Sequence, residues 1–295
     1  MLEFEFNILE WFYKIGNKFF DIFFYIISQL GGSVFLIAIL GIIYWCFDKE
    51  KGEKIGYAIL TSVCLNGLIK SFVNSKRPFM YEGREHLQKF KNSKLSDSAT
   101  GSSFPSGHSQ IAGSLYGSIM ISFKKKWIRI VCIVLMILIP ISRLYLGVHF
   151  PHDIVVGLIL GLLVTFLSFF LLNKFPQKKF LIYLITSILF LPFMFFKNAE
   201  HDFIRGYGLF VGFCLGAFVE NKCIKFSTDI TPLKKVIRTL VGIFFVGITF
   251  VITQLIPDSI SHIPVITILI YGLIAFLAIG VIPFLFKSEK NPNGI

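Results

Sequence analysis

Two histidines, His108 and His149, stand where polar sequence meets apolar sequence, each beside residues that could orient it or bind an anion. In the segment Ser142-Arg143 to His149-Phe150-Pro151-His152-Asp153, Pro151 predicts a helix start. His149 then falls just outside the helix and Asp153 in its first turn. A carboxylate there could accept an N–H from one ring nitrogen of His149 and leave the other free to attack, the nucleophile-and-orienter arrangement of covalent catalysis. Read alone, the segment is equally a helix-capping aspartate beside an interfacial histidine.

Two further clusters suit an anion. Pro105-Ser106-Gly107-His108 precedes an apolar run. Proline suits a first helical turn, glycine permits close backbone approach, and the free N–H groups of that turn attract negative charge, with Ser106 adding a hydroxyl donor. Lys70 and Arg77 are seven residues apart. A helix continuing through both would set them on one face, two cations suited to a phosphate, with Pro78 stopping the chain. Alone, this pair also reads as cations snorkelling to a membrane surface.

The elements that must position these groups are membrane helices. Of 295 residues 55% are hydrophobic and only 16% charged, which excludes an ordinary soluble domain. Apolar runs predict nine spans near 32–47, 52–73, 105–123, 126–142, 151–172, 179–196, 203–219, 236–254 and 265–287. Residues 1–30, with Glu10, Lys14, Lys18 and Asp21, read as an amphipathic interfacial segment. The acidic start MLEFEFNILEWFYKIG is unlike a cleavable signal peptide. Seventeen of the 29 Lys and Arg residues fall in short connections on one side, which makes that side cytoplasmic and turns the three clusters outward. The same bias accounts for the net charge of +12 without nucleic acid, since no basic, aromatic-interleaved stripe is present. The long polar loop 74–104 reads as a functional lid. Cys46, Cys64, Cys132, Cys214 and Cys223 form no C-x-x-C pair and read as packing residues.

In chain order the clusters read K-x6-R-P, P-S-G-H and S-R-x5-H-x3-D. Together they resemble the full signature of the type 2 phosphatidic acid phosphatase (PAP2) superfamily, over roughly residues 30–172, most closely in SRLYLGVHFPHDIVVG. The resemblance implies an all-α, polytopic membrane bundle with a PAP2/haloperoxidase-like helical core and a metal-independent phosphatase that needs no cofactor. It implies that His149 attacks phosphorus, Asp153 holds its tautomer and His108 protonates the leaving oxygen and later activates water. Lys70, Arg77, Arg143, Ser106 and the Gly107 amide would cradle the phosphate. Outside the signature, His152 occupies a variable position, His86, His201 and His262 lack a partner pattern, and no Asp/Glu/His set has metal-ligand spacing.

The expected organisation is an N-terminal amphipathic segment (1–30), a catalytic core (31–172), additional transmembrane helices (173–287) and a polar tail (288–295). With nine spans and an outward N-terminus the plan is similar to that of glucose-6-phosphatase and the sphingosine-phosphate phosphatases. The leading expectation is hydrolysis of a lipid phosphate or diphosphate in a bacterial plasma membrane, with the site facing the extracytoplasmic side and homo-oligomerisation open. Alternatives are a soluble sugar-phosphate phosphatase, a vanadate-dependent haloperoxidase, or a non-catalytic lipid-binding or transport protein.

Overall fold

The computed structural model describes residues 2–90, 101–255 and 263–286. The Ser-rich half of the long loop at 91–100, His262 and the 288–295 tail lie outside the described residues. All regular structure among the described residues is helical: α1 (Leu2–Lys14), α2 (Lys18–Gln29), α3 (Ser33–Ile42), α4 (Lys49–Val73), α5 (Gly107–Ser122), α6 (Lys126–Tyr145), α7 (Pro151–Lys174), α8 (Lys179–Phe190), α9 (His201–Val219), α10 (Pro232–Gln254) and α11 (Pro264–Phe276), with short 3-10 and π turns extending several of them.

Among the described residues, seven helical stretches are long and apolar enough to cross a membrane. The pair α2 and α3, bent by 50° at their junction, makes an eighth if taken as one span. The predicted span at 105–123 forms α5, whose 16 residues give about 24 Å of rise, short of a bilayer's hydrocarbon core. Among the described residues, seven or eight stretches thus qualify as candidate spans, and α5 is too short to be counted with them. On α7, Val155, Ile159, Leu163, Phe166, Leu167 and Phe170 are exposed, as a lipid-facing surface requires.

The chain divides into two compact units, residues 1–36 with 65–166 and residues 37–64 with 167–295. This division cuts across the linear one predicted above, because α1 and α2 belong to the first unit and residues 37–64 to the second. In the first unit α1 buries Glu5, Phe6 and Leu9, and Phe6 and Leu9 share a core with Leu87, Leu144, Phe150 and Ile154. In the same unit α5 and α7 approach closely: a Cβ on Gly161 would stand 2.2 Å from the Gln110 carbonyl oxygen, and one on Gly157 would stand 2.6 Å from that of Ser106. In the second unit α9 and α11 pack through Gly212 and Gly272.

Candidate active site

The first unit brings together the C-terminal ends of α4 and α6 and the N-terminal ends of α5 and α7. Both helix starts present N–H groups and the positive end of a helix dipole.

α7 begins at Pro151, with His149 just outside it and Asp153 in the first turn. Asp153 is fully buried and His149 nearly so. The Ser103 hydroxyl donates to Asp153 Oδ2 at 2.6 Å, and the Phe150 N–H donates to the same oxygen at 2.9 Å. His149 Nδ1 lies 3.4 Å from both Asp153 Oδ2 and Ser103 Oγ. Its proton is thus shared between the carboxylate and the hydroxyl oxygen, which leaves a lone pair on Nε2. Nε2 faces Arg77 Nη1 at 3.3 Å.

Arg77 arrives by a different route from the one its spacing predicts. α4 stops at Val73, Asn74 adopts a left-handed φ of 44°, and Arg77 is extended (φ −80°, ψ 157°) ahead of a 3-10 turn. Pro78 excludes the helical conformation from the residue before it, so Lys70 and Arg77 share no helix face. Arg77 is instead fixed by donating to the carbonyls of Gly101 (3.1 Å) and Val148 (3.0 Å). Gly147, at φ +69°, turns the chain between α6 and His149. A Cβ there would also stand 1.9 Å from the Leu87 carbonyl oxygen.

α5 starts two residues later than the predicted 105. Ser106 is its N-cap, accepting from the Ser109 N–H at 3.4 Å, and Pro105 lies outside the helix. The Ser106 N–H donates to the Asp153 carbonyl at 3.1 Å, which ties the two helix starts together. Asn66 donates to the Pro105 carbonyl (3.2 Å) and to Gln110 (2.8 Å), holding the turn against α4. Gly107 and His108 form the first turn of α5. Arg143, fully buried in the last turn of α6, donates to Ser28 Oγ at 2.5 Å. Lys70, in the last turn of α4, is 5% exposed.

Burial, reinforced by the positive charges of Arg77, Arg143 and Lys70 and by His108, holds the His149 imidazole well below its ordinary range. Lys70, Arg77, Arg143, Ser106, Gly107, His108, His149 and Asp153 thus lie in one unit, and its three cations act on the His149 ring. As a named set they carry three fixed positive charges against one carboxylate. Such a site is built to receive an anion and to present a neutral, oriented imidazole to it.

Several partners had weak or no sequence signals. Ser103 sits in a Ser-rich run that gives no hint of its contact with Asp153. Ser28 and Glu5 come from the segment expected at the membrane surface. Glu5 had a detectable signal, since in LEFEFNILE it shares a helix face with Phe6 and Leu9. His152, set aside above, bridges two carboxylates: Nδ1 is 2.7 Å from Glu5 Oε1 and Nε2 is 3.2 Å from Asp153 Oδ1.

A PAP2 superfamily model matches residues 53–196, and a model of the PAP2 phosphatase transmembrane extension matches residues 204–290. Undecaprenyl-diphosphatase of Sulfolobus acidocaldarius is 30% identical over 134 residues, covering 44% of this chain and 61% of that protein. Phosphatidylglycerophosphatase B of Bacillus subtilis is 32% identical over 165 residues, covering 52% of this chain and 73% of that protein. The chain thus spans under two thirds of the first relative and more of the second. The crystal structure of Aquifex aeolicus LpxE shares 26% identity, covering 56% of this chain and 94% of that one, with a TM-score of 0.48. The chain belongs to the PAP2 superfamily and is an integral membrane protein. Its C-terminal helices, which carry no motif legible by eye, match an extension found within the family.

Proposed function

We propose that the chain is a membrane phosphatase that hydrolyses a lipid phosphate or diphosphate through a phosphohistidine on His149. The observation that carries this reading is the convergence of Lys70, Arg77 and Arg143 on a buried His149 whose Nδ1 is engaged by Asp153 and Ser103. Nε2 attacks phosphorus, and a P–N bond forms as the bond to the leaving oxygen breaks. His108 gives that oxygen a proton. It then takes a proton from water, whose oxygen attacks phosphorus and returns the electron pair to Nε2. Lys70, Arg77 and Arg143, with Ser106 and the Gly107 amide, stabilise charge on the equatorial oxygens, the main demand of phosphoryl transfer.

The lysine-rich connections at 49–54, 124–129, 174–179 and 222–238 join helix ends remote in sequence from the site. By the positive-inside rule they lie in the cytoplasm, which supports a site facing the extracytoplasmic side, in a bacterium the outer face of the plasma membrane. A head group could enter there while its tail remains in the bilayer. Relatives described as undecaprenyl-diphosphatase and phosphatidylglycerophosphatase support a lipid substrate.

The test is phosphate release by the detergent-purified protein in EDTA from a panel of phosphatidic acid, phosphatidylglycerophosphate, undecaprenyl diphosphate and glucose 6-phosphate. Turnover of a lipid substrate, inhibited by vanadate and abolished in His149→Ala, is expected. Preference for glucose 6-phosphate, or activity that survives His149→Ala, would overturn the reading.

A further inference from the structure

We infer that Glu5 and His152 are positioning residues that act on the nucleophile through Asp153, so that the N-terminal helix is part of the catalytic machinery. The inference rests on the function proposed above and extends it to residues outside the family signature. Asp153 is fully buried, and its two oxygens have different neighbours. Oδ2 serves His149, Ser103 and the Phe150 N–H. Oδ1 lies 3.2 Å from His152 Nε2, an ion-pair contact without hydrogen-bond geometry.

The far side of the His152 ring is held by α1. Glu5, 5% exposed, places its two oxygens 2.7 and 3.0 Å from Nδ1 and accepts the His152 backbone N–H at 3.2 Å. Phe150 stacks on the imidazole at 11° and 5.5 Å, and Phe104 lies against it at 5.9 Å. Phe6, next to Glu5, meets Phe150 edge-on at 5.3 Å. Glu5 and Asp153 are the carboxylates at ion-pair distance from His152 among the described residues, and its side chain, 41% exposed, also meets the Phe104 and Phe150 rings. Nδ1 is within hydrogen-bond distance of Glu5, and Nε2 is held at ion-pair distance from Asp153 Oδ1.

The consequence is directional. A ring held 3.2 Å from one carboxylate oxygen limits the room that carboxylate has to rotate and acts on its charge, and the partners of a group that orients a reactive histidine tune that histidine. Glu5 fixes His152, His152 fixes Asp153, and Asp153 sets the His149 tautomer. The rival interpretation is that Glu5 only caps the start of α7 and welds α1 in place. That role would change stability and leave the chemical step alone.

The experiment measures kcat and KM for release from a lipid phosphate in mixed micelles with His152→Gln and Glu5→Gln, and repeats His152→Gln in an Asp153→Asn background. Each single variant is expected to lower kcat about tenfold with KM held within about twofold. In the Asp153→Asn background the His152→Gln loss should disappear. Unchanged kcat, or the same loss in both backgrounds, overturns the inference. An activity-free arm follows the His149 ring by 15N NMR in histidine-labelled protein, where His152→Gln should move its resonances. If the parent protein releases no phosphate but the resonances move, the phosphatase reading fails and the positioning link stands. If they do not move, the link fails whatever the activity. Should Glu5→Gln not fold, His152→Gln carries the test alone.

Discussion

The two units bury charge for different ends. In the second, each buried carboxylate has a cation at contact distance: Glu53 is met by Lys179 at 2.9 Å and by the Tyr183 hydroxyl at 3.0 Å, and Glu220 by Lys49 at 2.8 Å. The fully buried Arg238 donates to the carbonyls of Trp45 and Ser227, both at 2.8 Å, with its guanidinium 4.5 Å from the Phe286 ring centroid. The first unit gathers Lys70, Arg77 and Arg143 about one buried histidine, and Asp153 is directed at that histidine. Ion pairs matched within the fold hold helices together and leave little field outside. A surplus of fixed cations raises the potential where a phosphoryl group would sit, and there it is worth most because water is largely excluded. The same residue types are therefore matched as ion pairs in one unit and left as a surplus of cations around a histidine in the other.

Substitutions can break that contrast from either side. The largest effect is expected from Asp153→Asn, which keeps the shape but can present an N–H to His149 and favour the wrong tautomer. Turnover should fall about 1,000-fold, measured as phosphate release, with the fold intact by circular dichroism. In the second unit, Glu53→Gln strands Lys179 without an anion. Lys179 is partly exposed, so water screens some of the loss, and about 2 kcal/mol of stability is expected to go. It should appear as a lower melting temperature in detergent, with kcat per folded molecule unchanged. A kcat loss there would show that the contrast is drawn too sharply.

Arg77→Gln sharpens the comparison through pH. The cations and burial disfavour the protonated form of His149, so its folded value lies below the ordinary imidazole value of about 6.5. Removing one cation relieves that repulsion and raises the value. The acid limb of kcat/KM, where the nucleophile becomes protonated in the free enzyme, should then move to higher pH. An acid limb that stays put or moves down would mean that Arg77 does not contribute to this field.

Much of the site was legible because its residues are bound to local events. Pro151 starts a helix, so His149 and Asp153 fall four residues apart across that start, and Ser106 caps the next helix in the same way. Arg77 shows the limit of such reasoning. Its spacing from Lys70 implies a shared helix face, yet Asn74 and Pro78 end the helix between them and the side chain is placed by carbonyls 24 and 71 residues away.

An all-helical membrane protein and a set of candidate ionisable site residues follow from the amino-acid sequence alone, because hydropathy and motif spacing depend on near neighbours along the chain. Only the tertiary structure decided that Ser103 and Asp153 share the His149 proton, that Ser28 holds Arg143, and that Glu5 reaches His152. The last pair is separated by 147 positions. No local propensity records such a contact, which exists because packing Phe6 and Leu9 against Leu144 and Phe150 brings the N-terminal helix to the site.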